Sequence, residues 1–392
     1  MAGCCLPGCL TAADITPRLN SLPSRSLRRL RSASPPVGDA RPSAAGESLG
    51  MLSPVHALFQ RRVAGDDALL KLAGLRFAQM GLAAEVYADT PQELEHVLRF
   101  VPPHPYLPVV HLNRRVNVLH DSGRAVVREF ADRFAGRLRG VVVHDSREMG
   151  AQTDRLLTVM HELDEGLRAR PEGPVVFLEY AAGLEPAWFA EVAERLQDAE
   201  RVSCCLDVGH IGIRQATARF MHSHPDLRLR DLRPDDGRLP DLVADVEAAV
   251  GSAVGDLLDV TRSIVRLGRP VHFHLHDGHP LVPGLADHFS FLTRLPIPFS
   301  YRDRGSLSMM YGPSGLASIV SAALESSRSQ DVSFTLEIHQ VEGRLPLADA
   351  SRLFAHWRDI TNAERMNYWL SVLADNAMLV SQRLAELSAI GE

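Results

Sequence analysis

His272-Phe-His-Leu-His-Asp-Gly-His279 is the run of sequence that decides how this chain is read. Alternating residues of a β-strand share a face, so His272, His274 and His276 point one way while Phe273 and Leu275 pack on the other. A row of imidazoles is a poor core. That face calls for a cation, a substrate or water. Other apolar runs close in the same manner: Val175-Val-Phe-Leu-Glu179, Cys204-Cys-Leu-Asp207-Val-Gly-His210 and Phe334-Thr-Leu-Glu337-Ile-His339. Glu179, Asp207, His274 and Glu337 together are a suitable ligand set for one divalent ion.

Outward from these runs the chain alternates short apolar segments with longer helical patterns, the rhythm of a parallel sheet with crossover helices. Strands are expected near Leu52 to Phe59, Ala83 to Ala88, Leu107 to Leu112 and Gly140 to His144, then ending at Glu179, Asp207, Asp277 and Glu337. Helices are expected over Asp66 to Met80, from Thr90-Pro, over Asp121 to Leu138, over Glu185 to Gln197 and over Leu347 to Leu387. Eight strands with helices between them, over about 340 residues, predict a closed (β/α)8 TIM barrel. Its expected inserts are Met221 to Leu239 and, after strand seven, Gly278 to Pro313; a C-terminal helical extension, 346–392, is expected to pack on the barrel proper, 51–345. Parity predicts Val175, Phe177 and Glu179, Ser203, Cys205 and Asp207, and Ser333, Thr335 and Glu337 inside the barrel.

Composition narrows the class. A net charge of -6 gives no global footprint for nucleic acid, with room only for a local basic groove. The rim loops are read as lacking clustered Lys or Arg, and nucleic acid is set below a small-molecule substrate. Cys4, Cys5, Cys9, Cys204 and Cys205 form neither a disulfide framework nor a zinc pattern, which points to a reducing, cytoplasmic setting. No apolar stretch reaches the roughly 20 residues of a membrane span. Residues 1–50 place Arg18, Arg25, Arg28, Arg29, Arg31 and Arg41 among Ser, Pro and Ala, a composition that buries too little apolar surface to order itself. They fit a transit peptide or, as preferred here, an upstream extension with Met51 as the start.

In (β/α)8 barrels the working residues stand at the C-terminal ends of the strands. Glu179, Asp207, His274 and Glu337 come from strands five to eight, so they are neighbours around half of the rim. Oxygen-rich ligation with one imidazole suits Mn, Mg or Co, and added histidines move the preference toward Zn. His111 and His144 close two further strands, and His210 lies three residues beyond Asp207.

Leu178-Glu179-Tyr-Ala-Ala-Gly183, Cys205-Leu-Asp207-Val-Gly-His210, His274-Leu-His-Asp277 and Leu336-Glu337 resemble the xylose isomerase-like barrels, which include sugar isomerases and epimerases and the zinc-dependent apurinic endonucleases (family 2). The resemblance covers most of the chain after Met51. It implies that Glu179, Asp207, His274 and Glu337 bind the catalytic metal and that His210 contacts substrate or a second metal. In the sugar branch, Glu179 and Glu337 would shuttle a proton between neighbouring carbons of a polyhydroxy carbonyl compound, with His111, His144 and His210 toward the substrate. In the endonuclease branch, three zinc ions and more histidines are used, and His111 and His144 fall where two of them belong. That branch also has an Asp-Arg-His element, against which Asp303-Arg304-Gly305 lacks the histidine. A metal-dependent isomerase or epimerase is therefore the first expectation and a zinc phosphodiesterase the second.

Within the strand-seven insert, His279, Asp287 and His288 are candidates to face the metal. Gly312 and Gly315 would let backbone N–H groups approach a phosphate, although a plain turn with a Ser314 cap is the simpler reading. Trp357, Ile360, Trp369, Leu370 and Leu373 have helical spacing and suit either closure of the barrel or a homo-oligomer contact.

Overall fold

The computed structural model describes residues 53–59, 65–170, 172–232, 236–281, 288–292, 310–325, 331–339 and 361–390. All of these lie in the compact unit Leu49–Glu392. The leader, Met51, Asp287, Asp303-Arg304-Gly305, Trp357 and Ile360 lie outside the described residues.

Eight parallel strands close on one another in chain order, β1 pairing with β8 to seal the barrel. They are β1 (Val55–Phe59), β2 (Ala83–Ala88), β3 (Val109–Leu112), β4 (Gly140–His144), β5 (Val175–Glu179), β6 (Val202–Asp207), β7 (Val271–Leu275) and β8 (Val332–Leu336). Each strand carries a β-branched or apolar set that packs outward on a helix. Short polar side chains bond at the seams instead, as where Ser203 donates to the Pro270 carbonyl. Inside, Val109, Val142, Phe177 and Cys205 form a small apolar plug, with Val175 against it, so the parity expected for strands five and six holds.

The helices begin where local chemistry tells them to. Asp66 accepts from the N–H groups of Ala68 and Leu69 to start α1 (Asp67–Met80), and Thr90 caps α2 (Pro91–Leu98) with Glu93 reaching back to the Asp89 N–H. α3 (Asp121–Arg133) stops short of the expected Leu138, and the chain then turns through Gly136 at φ 70°. α4 (Arg147–Ala151), α5 (Thr153–Arg168) and α6 (Pro186–Arg195) follow. At the start of α7 (Val208–Ser223), Asp207 ends β6 and caps the helix at once, accepting from the His210 N–H at 2.8 Å. No loop intervenes, and His210 is thereby held on the first turn at the barrel mouth. Gly209 permits this, since a Cβ there would meet the His276 ring at 1.9 Å. α8 (Leu239–Val265) and α9 (Gly312–Leu324) complete the ring.

The last helix, α10 (Asn362–Ile390), closes onto the barrel, with Trp369, Leu370 and Leu373 buried. Its Trp369 indole donates to the Ile338 carbonyl at 2.7 Å, and its Asn376 holds the Phe291 N–H and the Ser290 hydroxyl. One helix therefore pins both chain segments that follow β7 and β8. No helix among the described residues is long and apolar enough to cross a membrane.

His56 and His279 are among the buried histidines that no charge partner keeps protonated, as is His272, which burial pushes down to about 4 despite Glu85. Burial, reinforced by the neighbouring His272, pushes His56 down to about 3, and burial pushes His279 down to about 4. Below the ordinary value of 6.5 the unfolded chain takes up protons that these folded imidazoles refuse, so stability rises with pH in that range. In urea unfolding between pH 7 and pH 5 each such group should draw stability down on the acid side by about 1.4 kcal/mol per pH unit, against the opposite contribution of Asp145 and Asp277, which burial pushes up to about 6. His56→Gln should flatten that slope; an unchanged slope would remove His56 from the account.

Candidate metal centre

Strand ends bring the four expected ligands together: oxygen or nitrogen atoms of Glu179, Asp207, His274 and Glu337 all lie within 4.8 Å of one another. Each is buried. His274 sits centrally, its Nδ1 3.0 Å from Glu179 Oε1 and 3.2 Å from Glu337 Oε2.

The neighbouring strand ends add further groups on either side. From β3 and β4, His111 Nε2 and His144 Nε2 lie 3.1 and 3.3 Å from Glu179 Oε2 and 3.2 Å from each other. Beyond β7 and β8, His288 Nε2 and His339 Nε2 lie 3.2 and 3.5 Å from Glu337 Oε1. Asp207 meets His276 Nε2 at 2.7 Å and His210 Nε2 at 3.5 Å. Each of the two glutamates thus turns one oxygen to His274 and the other to a flanking pair of histidines.

These groups fit a divalent cation by two independent criteria. Ligands about 2.0–2.2 Å from a tetrahedral ion stand roughly 3.3–3.6 Å apart, close to the 3.1–3.3 Å separating the facing atoms of His111, His144 and Glu179. Glu179 Oε2, Asp207 Oδ2 and Glu337 Oε2 are also buried and accept no hydrogen bond, a costly state for a carboxylate unless a cation meets it.

Electrostatics say the same. Burial alone would raise Glu179 and Glu337, yet the charges of His144, His111 and His274 around Glu179, and of His288 and His274 around Glu337, hold both well below the usual carboxylate range. Asp207 is held down by His210 and His276 against its burial. His111 runs the other way: burial would lower it, but Glu179 and Glu85 push it up to about 9. For His144 burial prevails and lowers it, despite Glu179.

His288 reaches the cluster at φ 67°, a left-handed conformation that costs a non-glycine residue about 1 kcal/mol. Its backbone is clamped there, the N–H donating to His276 Nδ1 at 2.7 Å and the carbonyl accepting from His339 at 3.2 Å. His279, by contrast, turns away, its Nε2 4.0 Å from Glu247 of α8. Asp277 is not a ligand either. It closes the neck of the insert, pairing with the Phe289 backbone and accepting from the N–H groups of Gly278, Tyr311 and Gly312. The anion at Gly312 is therefore the carboxylate of Asp277, which leaves the simpler turn reading ahead of a phosphate site, although Ser314 lies inside α9 (Gly312–Leu324) and does not cap it.

Above the ligands opens a cavity of 750 Å³ whose walls include Tyr87, His144, Asp145, His210, His339 and the two glutamates. Arg114, Arg115 and Arg147 stand exposed at its mouth, and among the described residues none pairs with a carboxylate. The rim thus carries a basic cluster, contrary to expectation: Arg114 and Arg115 follow β3, but only the fold adds Arg147 from the start of α4.

Three residues escaped the sequence reading. Glu85 and Tyr87 alternate along β2, a charged and a phenolic side chain on the inner face, and that period was the available signal. Tyr87 hydrogen-bonds Glu337, while Glu85 lies deeper, under the histidines. Asp145 directly follows His144; burial pushes it up to about 6, although Oδ1 accepts from the N–H groups of Ala181 and Ala182 at 2.9 and 2.5 Å. Its Oδ2 has no hydrogen-bond partner.

No protein-family model matches this chain, and no curated protein matches it.

Because Glu179 serves two groups at once, Glu179→Gln should weaken binding of divalent ions more than the roughly 10- to 100-fold lost with an outer partner. Elemental analysis after dialysis should find it depleted relative to wild type, with the same circular dichroism. Equal metal content would exclude Glu179 as a ligand.

Proposed function

We propose that this chain is a multinuclear divalent-metal phosphodiesterase of the apurinic endonuclease type. The observation that carries the reading is the placement of Glu179 and Glu337, each with one oxygen toward His274 and the other toward a flanking histidine pair. Glu179, shared between two adjacent ligand groups, would suit a centre of more than one ion, as two-metal phosphoryl chemistry employs. His111, His144 and Glu179 would hold one ion and Glu179, Asp207, His274 and Glu337 a second; the imidazole content favours Zn over Mg. Bound divalent ions would supply charge stabilisation for a phosphate and a nucleophile at neutral pH.

The chain's own side chains do the rest. Arg114, Arg115 and Arg147 receive the anion at the cavity mouth, guanidinium groups being suited to two-point contact with phosphate oxygens. Asp145 takes up a proton at Oδ2, its affinity raised by burial toward neutral pH, where a general base works best. Two arguments that favoured the isomerase on sequence have lost force. His288 joins the cluster although the Asp303-Arg304-Gly305 element lacks a histidine, and the mouth carries clustered arginines.

The second reading, a metal-dependent isomerase or epimerase of a polyhydroxy carbonyl compound, is favoured by the cavity. Its 750 Å³ is small-molecule size, and Glu179 and Glu337 flank His274 as a proton-shuttling pair would. Metal counting separates the two. Two or more tightly held ions per chain, with chelator-sensitive cleavage of bis(p-nitrophenyl) phosphate or of abasic duplex DNA, are expected. One exchangeable ion, together with solvent deuterium entering a ketose, would transfer the assignment to the isomerase.

For Asp145, the rate of phosphodiester cleavage should rise with pH through about 6 as the carboxyl loses its proton. Asp145→Asn should remove that limb and lower the rate by about 10²- to 10⁴-fold. A retained limb would assign it to another group.

A further inference from the structure

Glu85 is a buried carboxylate that the reaction above does not use. It lies inside the barrel on β2, 0 % exposed. Its Oε1 stands 3.0 Å from His111 Nδ1 and also 3.0 Å from His274 Nε2. The opposite nitrogens of those two rings are the ones that face the ligand groups: His111 Nε2 toward His144 and Glu179, and His274 Nδ1 toward Glu179 and Glu337.

We propose that Glu85 is a shared positioning residue, one carboxylate that orients a histidine in each of two adjacent metal groups and so makes their occupancy interdependent. The inference rests on the metal-centre reading given above. A neutral imidazole has one proton for two nitrogens. An acceptor behind the ring keeps that proton at the rear and leaves the lone pair at the front for a cation. Here the same oxygen hydrogen-bonds His111 Nδ1 and lies 3.0 Å from His274 Nε2, a buried nitrogen that makes no hydrogen bond to any other group among the described residues. Glu85 is itself held from its other side, Oε2 accepting from the Thr335 hydroxyl at 2.6 Å and lying 3.0 Å from His272 Nε2, with His272 Nδ1 2.7 Å from the Ser333 hydroxyl. β2, β3, β7 and β8 are thereby tied to one carboxylate beneath the ligands. Such a cluster could alternatively be a deeper ion site, since ligand atoms of Glu85, His111 and His274 also lie within 4.8 Å of one another. The two arrangements differ in which ring nitrogen faces the cation.

The test is titration of metal-free wild type, Glu85→Leu and Glu85→Gln with Zn(II) alone, in competition with a chelator, alongside the thermal midpoint of each metal-free protein. Leucine removes the acceptor at similar volume, and affinity should fall about 10- to 100-fold in both groups together. Glutamine keeps an accepting oxygen and should lose about tenfold or less. A merely structural role would lower the thermal midpoint of the leucine variant while leaving its Zn(II) affinity at the wild-type value, and that result overturns the proposal. So does loss of a single ion with the others unaffected, which would identify the deeper site. Wild type that binds no Zn(II) would remove the metal centre itself, an outcome distinct from a failure confined to the variants. Should Glu85→Leu not fold, long-range ¹H–¹⁵N spectra of Zn(II)-loaded wild type decide instead. Protons on His111 Nδ1 and His274 Nε2 are expected, and protons on the opposite nitrogens overturn the assignment.

Discussion

Everything at the mouth of this barrel depends on neutralising carboxylates that have been taken out of water. Glu85, Glu179, Asp207 and Glu337 are all buried inside one ring of strands. An isolated carboxylate in that position is prohibitively costly, so each must face positive charge or donated protons. Imidazoles supply both, and they surround each of the four. Such a cluster is held together by the charge that it concentrates, and it is disposed to exchange those protons for a cation.

That constraint explains local features that would otherwise look accidental. α7 starts without a loop so that Asp207 can end a strand, cap a helix and meet His276 with the same carboxylate. Gly209 keeps that junction close enough to the His276 ring. His288 accepts a left-handed backbone because two hydrogen bonds and its place beside Glu337 hold it there. Asp277 and Asn376 spend their hydrogen bonds on the neck of the insert, away from the ligands, and thereby fix the segment that carries His288.

The inside of the barrel is divided between closed and open groups. An apolar plug of Val109, Val142, Phe177 and Cys205 fills part of the interior. Beside it, with Glu85 in register with Val109 and His272 with Cys205, the side chains of Glu85, His272 and Thr335 form a hydrogen-bonded polar cluster closed to solvent. Glu179, Glu337, His144 and His210 open into the cavity, at whose mouth Arg114, Arg115 and Arg147 are exposed. The groups behind the candidate ligands are thus closed to solvent, while the arginines at the mouth stand on the loop after β3 and the first turn of α4.

The eight strands, their order around the barrel and the convergence of Glu179, Asp207, His274 and Glu337 were legible in the sequence because strand parity and strand-end position are local properties. A period of two decides which side chains point inward, and closure in chain order then brings the ends together. Glu85 was not legible in the same way, since a single acid in the middle of a strand gives no sign of the three histidines that come to it from β3 and β7. His288 and His279 looked alike in the insert, yet the fold turns the first to Glu337 and the second to Glu247. The sequence by itself determined the barrel and the acidic and imidazole groups at its strand ends, but not the arginines at the mouth. Tertiary structure alone decided which oxygen faces which ring, because those pairings depend on distances between strands that are remote along the chain.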